Sequence, residues 1–272
     1  MTAFALKIIA LLSMLVDHVG VVFDLHFGFR VVGRIAFPIF VFFVAEGFRH
    51  TKSPAKFLAR LFVFALISQP VFAMAIRGAT FQESFALGWG TNIFFTLFLG
   101  GFIIVAYDWR TKCAKRTFVS EIPPRNCGAV SWHMKQWAHP LAAGLFFLAA
   151  MLGVAMVADV LSVDYGFYGA LFIFAMYLVR RYWPPDTQWG KVATIGVMGA
   201  FALWQHQQIV RDGLRWGFGI YPTVVWLMIP ATLLPVALVA WYNGKRGPGM
   251  KWLFYIAYPL HLGVLVWLST AQ

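Results

Sequence analysis

The sequence predicts an all-α, polytopic membrane protein built as one helical bundle. Of its 272 residues, 61% are hydrophobic and 12% are charged, whereas a soluble globular chain is about half apolar and about a quarter charged. Nine apolar runs approach or reach the length of about 20 residues that crosses a bilayer. Basic residues concentrate in alternate connections between these runs. We therefore predict nine transmembrane helices, with a cytoplasmic N-terminus and an extracytoplasmic C-terminus.

The runs define the predicted helices and their order. They cover 4–23, 31–48, 57–76, 91–108, 140–158, 165–180, 190–209, 219–242 and 251–270. The first run contains charged residues and is not followed by a small-residue cleavage pattern, so we expect a retained span and not a cleaved signal peptide. We expect residues 1–272 to form a single transmembrane domain with one sizeable cytoplasmic loop at 109–139.

The distribution of lysine and arginine sets the predicted orientation. Most of the 22 lysines and arginines lie in the connections that follow the second, fourth, sixth and eighth runs. Short loops rich in these residues face the cytoplasm. This pattern accounts for most of the net charge of +12 without nucleic acid as a partner. The expected location is the bacterial inner (cytoplasmic) membrane, in contact with membrane lipids.

Polar side chains inside the runs are candidates for a functional site, because ionisable groups are costly to place in a membrane. With a rise of about 1.5 Å per residue, several of them fall at the centre or in the outer half of the predicted bundle. They could line one cavity that opens outward: Asp17, His18, Arg34, Gln69, Asn92, Asp164, Tyr165 and His261.

Helical geometry limits how the first two of these residues can act. Neighbours on a helix do not face each other, so Asp17 and His18 do not form a dyad. We expect Asp17 to face Arg34 and His18 to face the reacting centre. Structural roles also stay open, since Asn92 could cap a helix and Gln69 could bind carbonyls freed by the following proline.

A metal site is not predicted. The 109–139 loop contains Cys113, Cys127, His133 and His139, but their spacing lacks the close ligand pairs of structural zinc sites. The two cysteines are expected to be reduced thiols if the loop is cytoplasmic.

Ordered motifs extend along nearly the whole chain. They are Leu6 to Ala10, Met14 to Gly20, Arg30 to Phe40, Glu46 to Thr51, Leu66 to Pro70, Asn92 to Leu97, Asp164 to Gly169, Lys251 to Tyr255 and Tyr258 to Leu262. In these motifs the chain resembles the TraX family of membrane proteins, which is named for the conjugation protein that N-acetylates the F-type pilin subunit. The resemblance implies acetyl-CoA as donor and an extracytoplasmic amine or hydroxyl as acceptor, on pilin, another protein or a glycan.

Acetyl transfer needs a base and a group that stabilises the oxyanion. We hypothesise His18 or His261 as the base, with His18 preferred. Asp17 and Arg34 would form an orienting pair, or Arg34 would stabilise the oxyanion. The predicted substrate-binding residues are Asn92, Tyr258, Gln69 and Asp164. The residues predicted to meet coenzyme A at the cytoplasmic mouth are Glu46, Arg49, His50, Lys52, Arg180 and Arg181.

Two functions from other classes stay open at this point. A transporter or proton-coupled carrier also uses charged residues and broken helices near the middle of the membrane. A membrane scaffold would use the same charges only to fix helix pairing.

Overall fold

The chain folds into helices throughout the ranges that the structure describes. A computed structural model describes residues 1–26, 28–86, 90–119, 129–183, 187–215, 222–249 and 251–271, without the side chains of 112–119, 129–139, 209–215, 222–228 and 251. In these ranges the β-structure is limited to one isolated bridge, between Thr91 and Val163. The predicted all-α class is confirmed.

The helix bounds follow the apolar runs closely, and every predicted run overlaps a helix. The helices are α1 (Ala3–Val22), α2 (Gly28–Gly33), α3 (Ala36–His50), α4 (Pro54–Arg77), α5 (Ile93–Val119), α6 (Ala129–Val160), α7 (Gly166–Tyr182), α8 (Gln188–Arg215), α9 (Pro222–Ala240) and α10 (Lys251–Thr270), with a 3₁₀ turn at Glu83–Phe85.

Six helical segments of the described chain are long and apolar enough to span a membrane. They are Ala3–Val22, Gly28–His50, Pro54–Arg77, Ile93–Thr111, Pro140–Val160 and Trp252–Thr270. The chain is thus a multi-pass membrane protein. The residues of the predicted 109–139 loop are largely helical, because α5 continues to Val119 and α6 begins at Ala129.

Local sequence signals explain where several helices begin and end. Thr2 caps α1, its side-chain oxygen accepting from the N–H of Ala5 at 3.3 Å. Ser53 caps α4 in the same way, and Pro54 occupies the first turn, where its missing N–H costs nothing. The same helix ends at Gly78, whose φ of 70° is the left-handed conformation that glycine adopts without strain.

The second predicted run is broken into two helices. Its first part, α2, ends at Gly33, and α3 begins at Ala36. Pro38 has no N–H to offer the carbonyl of Arg34, so a continuous helix would leave that carbonyl without a partner. A tight turn replaces it, in which the N–H of Arg34 binds the carbonyl of Val31 at 3.2 Å. The break places a charged side chain at an irregular point inside the bundle.

The core of the bundle is centred on α3. Nine of its 15 residues are buried, and it packs against α1, α5, α7 and α9. Helix α6 lies at the periphery and exposes an apolar row, as a lipid-facing helix does. That row is Leu141, Leu145, Leu148, Leu152, Met156 and Val160.

Candidate functional site

Two predicted catalytic residues meet directly, although 243 positions separate them. His18 Nδ1 lies 2.7 Å from His261 Nε2, and the two rings stack with centroids 5.0 Å apart. The His18 side chain is buried, so this contact lies inside the bundle. The sequence placed the two histidines at similar depths, and the fold brings α1 and α10 together so that they touch.

The hydrogen-bond partners fix the proton positions of the pair. His261 Nδ1 lies 2.7 Å from the carbonyl oxygen of Ala257, which can only accept, so this nitrogen carries a proton. In a neutral His261 the other nitrogen, Nε2, therefore accepts, and His18 Nδ1 donates to it. The remaining His18 nitrogen, Nε2, then has a free lone pair, and no hydrogen-bond partner for it occurs in the described part of the chain. It is placed to accept a proton.

A cavity of about 320 Å³ approaches this pair from one end of the bundle. Lys7, Arg60 and Arg246 are its charged lining residues, and we call the end of the cavity at which they lie the mouth end. The opposite end, which carries the turn after α1 and the α6–α7 connection, we call the far end. Residues 7 and 18 of α1 are about 16 Å apart along the helix axis, given the rise per residue. The mouth and the histidine pair thus lie at different depths.

Among the lining residues, Met14 and Tyr258 are those nearest in sequence to the two histidines. Met14 is one helical turn before His18 on α1, and Tyr258 is one turn before His261 on α10. The Tyr258 ring contacts both histidine rings edge-on, with centroid distances of 5.9 Å and 5.6 Å. The predicted substrate-binding Tyr258 therefore separates the cavity from the histidines.

The predicted orienting pair has a different composition. Asp17 binds Arg30 at 2.9 Å and not Arg34 as expected. Arg30 escaped prediction because the second run was taken to begin at residue 31, whereas α2 begins at Gly28. A signal was present, because Arg30 lies one turn before Arg34 and so shares its helix face.

Arg34 is left with unused hydrogen-bonding capacity. It lies within electrostatic range of Asp17, Asp164 and Tyr165. Its buried Nε has no hydrogen-bond partner among the residues described. Tyr165 itself stacks on Phe37 at 3.8 Å and has a φ of 60°, which is uncommon for a residue with a side chain. These groups form a polar cluster on the far-end side of the histidine pair.

Asn92 and Gln69, both predicted to bind substrate, are engaged in fixing the backbone. The Asn92 amide donates to the Ala65 carbonyl at 2.8 Å and to Gln69 Oε1 at 2.9 Å, and its oxygen accepts from the Phe94 N–H at 3.0 Å. Gln69 also donates to the Gly90 carbonyl at 2.7 Å. This arrangement caps α5, as the structural interpretation of Asn92 anticipates, and ties α5 to α4. Gln69 binds the carbonyl of Gly90, which lies outside α4, and not a carbonyl freed by Pro70 as that interpretation expected.

Four of the residues predicted to bind the coenzyme bind one another. Glu46 accepts from Arg180 and from Arg49, the latter at 3.1 Å, and lies 3.3 Å from His50. Arg180 is only 5% exposed. These residues project towards α7, whereas Gly47 and Thr51 of the same helix line the cavity.

The other two predicted coenzyme contacts also lie away from the cavity lining. Arg181 binds Asp108 and donates to the Tyr177 hydroxyl at 2.7 Å. The Tyr177 hydroxyl donates to the same carboxylate at 2.8 Å. Lys52 is exposed at the surface.

The cysteines and histidines considered for a zinc site in 109–139 are residues whose side chains the structure does not describe. Cys127 lies in 120–128, and Cys113, His133 and His139 lie in helical segments whose side chains are not described. Among the described residues, no group of three or more His, Cys, Asp and Glu side chains is arranged to hold a metal ion.

Comparison with known proteins agrees with the dispersed motifs. The family model described as "TraX protein" matches residues 3–269, which is nearly the whole chain. The chain belongs to the TraX family. It is also similar to the probable fimbrial assembly protein FimC, serogroup H1, of Dichelobacter nodosus. The two are 29% identical over 275 residues, covering 97% of this chain and 94% of that protein. No solved structure matches.

In this TraX-family chain, the predicted site residues do not include the three cations that line the cavity. Arg60 and Arg246 were interpreted as residues that set orientation, with phosphate binding as the alternative for Arg60, and Lys7 was not singled out. For Lys7 a usable signal existed, since an ammonium group within an apolar run is itself a functional-site candidate. For Arg246 none existed, because the connection between α9 and α10 has no periodic pattern.

Proposed function

We propose that this TraX-family protein is an acetyltransferase of the inner membrane. It would move an acetyl group from acetyl-CoA at the mouth end to an amine or hydroxyl acceptor at the far end, with a pilin N-terminus as one candidate acceptor. In this proposal nine spans place the mouth and the N-terminus in the cytoplasm and the far end and the C-terminus outside. The basic connections at the mouth end support that orientation.

The observation that carries the proposal is the His18–His261 hydrogen bond at 2.7 Å, one helical turn beyond the end of the cavity. His18 Nε2 accepts a proton from the acceptor amine or hydroxyl as that group attacks the thioester carbonyl carbon. The carbon–sulfur bond breaks, and the coenzyme leaves as a thiolate that takes up the proton as a thiol. The products are the acetylated acceptor and free coenzyme A.

His261 assists by positioning and by sharing charge. Its bond to the Ala257 carbonyl holds the ring so that its Nε2 faces His18. When His18 Nε2 is protonated, the Nδ1 proton shifts towards His261, so that the positive charge spreads over two rings. Arg34, with its unpartnered Nε, is our candidate for the group that stabilises the oxyanion.

The test uses purified protein in nanodiscs with labelled acetyl-CoA and short peptides that have free N-termini. We expect His18→Ala to lower the transfer rate by about 10² to 10⁴-fold, which is the usual contribution of a general base. His261→Ala should lower it less, because His18 still accepts the proton. His26→Ala, which changes an exposed histidine in the turn before α2, is the matched control.

Two outcomes would contradict the proposal. One is normal acetyl transfer by both the His18→Ala and the His261→Ala variants. The other is movement of labelled acetyl-CoA into proteoliposomes without any acetylated acceptor, which would indicate a carrier.

A further inference from the structure

The mouth of the cavity carries an unneutralised cluster of positive charge. We call Lys7, Arg60 and Arg246, the charged residues that line this cavity, the basic mouth. They come from α1, α4 and the connection between α9 and α10, so the fold assembles the cluster from three distant parts of the chain. No carboxylate lies among the residues that line this cavity.

The contrast with neighbouring cations is sharp. Arg49 and Arg180 share Glu46, and Arg181 binds Asp108. Across the described ranges, none of the three basic-mouth residues forms an ion pair with a carboxylate.

Lys7 and Arg60 are partly withdrawn from water, whereas Arg246 is exposed. The Lys7 ammonium lies over the rings of Phe43 and Phe254, at 4.8 Å and 5.4 Å from their centroids, and Arg246 is a like charge within its electrostatic range. Arg60 has a buried Nε without a hydrogen-bond acceptor in the part of the chain described. Charges held in this way cost free energy unless an anion joins them.

The backbone holds the cluster in place. The N–H groups of Ala3 and Phe4 donate to the carbonyls of Lys245 and Arg246, at 2.9 Å and 3.1 Å. Gly247 makes this contact possible: its φ is 70°, and a Cβ there would lie 2.9 Å from the Phe4 side chain. The start of α1 and the α9–α10 connection therefore act as one unit, and Arg246 is set beside Lys7.

The cavity behind these cations has a different character. Its walls are mainly aromatic and aliphatic, from Phe57 and Phe254 near the mouth to Met14 and Tyr258 at the inner end. A ligand that suits both parts has phosphate groups at one end and a narrow, uncharged tail. We infer that the basic mouth binds the phosphate groups of such a ligand, whose tail extends to Tyr258. This inference deepens the proposed function by naming the residues that hold the donor's phosphates.

Two sources of this chemistry exist in a cell, and they can be separated. Coenzyme A joins phosphates to the linear pantetheine arm, and an anionic phospholipid joins a phosphate to acyl chains. The affinity for coenzyme A that lacks an acetyl group can be measured without any acetyl transfer, so it reports on binding independently of catalysis. Pantetheine, which has the arm but no phosphate, reports on the cavity alone.

The experiment measures coenzyme A and pantetheine binding calorimetrically in phosphatidylcholine nanodiscs. We expect Arg60→Gln and Arg246→Gln each to weaken coenzyme A binding about tenfold to a hundredfold, since a hydrogen bond to a charged group contributes that much. Pantetheine binding should not change. Lys56→Gln, one turn before Arg60, and Lys245→Gln, beside Arg246, are exposed controls that should bind coenzyme A normally.

Further arms separate the two ligand sources and the two proposals. One outcome is that phosphatidylglycerol displaces coenzyme A from the wild type. Another is that, without coenzyme A, phosphatidylglycerol stabilises the wild type but not Arg60→Gln. Either result shows that the basic mouth binds phosphate and that a lipid fills it. His18→Ala should bind coenzyme A normally while losing acetyl transfer. If the wild type binds coenzyme A through the basic mouth but transfers no acetyl group, only the proposed reaction is refuted. Unchanged coenzyme A and phosphatidylglycerol binding by Arg60→Gln and Arg246→Gln, or equal losses in the lysine controls, would overturn the inference.

Discussion

Substitutions at the neighbouring residues Thr91 and Asn92, just before α5, should change the free energy of unfolding in different ways. Asn92 is completely buried and makes three side-chain hydrogen bonds, to Ala65, Gln69 and Phe94. Thr91 is also buried, but its hydroxyl has no partner among the described residues. Replacing Asn92 by alanine removes three hydrogen bonds, and replacing Thr91 by valine removes none while keeping the shape of the side chain.

The expected magnitudes follow from the number of bonds lost. A hydrogen bond within a membrane protein contributes about 0.6 to 2 kcal/mol, so the loss of three in Asn92→Ala should lower the free energy of unfolding by about 2 to 6 kcal/mol. Thr91→Val removes a hydroxyl that is desolvated without compensation, so stability should stay unchanged or rise by up to about 1 kcal/mol.

Unfolding in mixed micelles of a mild detergent and SDS, followed by circular dichroism, measures both changes. An Asn92→Ala midpoint equal to that of the wild type would refute the assignment of Asn92 to backbone fixing. A selective loss of acetyl transfer at unchanged stability would instead restore its predicted role in substrate binding. A Thr91→Val variant as unstable as Asn92→Ala would refute the argument from hydrogen-bond partners.

Two further substitutions test helix contacts by the same unfolding measurement. Gly33→Ala should lower the free energy of unfolding by about 1 to 3 kcal/mol, because the added methyl would overlap an α1 side chain. The control Gly144→Ala places its methyl where nothing lies within 4 Å, so the free energy of unfolding should stay the same or rise. Equal effects of the two substitutions would contradict the close approach of α1 and α2. Glu46→Gln should cost about 3 to 5 kcal/mol, because Arg180 would remain buried without its counter-ion. Arg49→Gln, which leaves that pair intact, should cost about 1 kcal/mol or less, and the reverse order would disprove the ion-pair assignment.

The apolar runs predicted the helices well because burial and lipid contact act on every residue of a span. All nine runs overlap helices, and the helix ends follow from local signals such as Ser53 and Gly78. The break before α3 was not predicted, although Pro38 was visible. A proline bends or breaks a helix depending on whether the carbonyl four residues before it finds another partner. For Pro38 that carbonyl belongs to Arg34, and the local turn there decides the outcome.

Predicting the site was harder, because depth along a helix does not specify which face meets which neighbour. Similar depth grouped His18 with His261, and in the fold the two side chains are in contact, which depth alone did not predict. The same reasoning paired Asp17 with Arg34, whereas Arg30, one turn away, has the shorter path to the carboxylate. Arg246 was not predicted as a site residue because a loop charge that sets orientation and one that lines a cavity look alike in sequence.

The Tyr258 ring has a further consequence for a cell that stores energy as a proton gradient. A wide water-filled passage from the mouth end to the far end would discharge that gradient, because water and protons would follow the donor. Tyr258 and the stacked imidazoles of His18 and His261 instead form an aromatic partition across the route. If the protein is the proposed acetyltransferase, a proton would move between the ring nitrogens of this partition without a continuous water path, so acetyl transfer across the membrane would be compatible with a sealed bilayer.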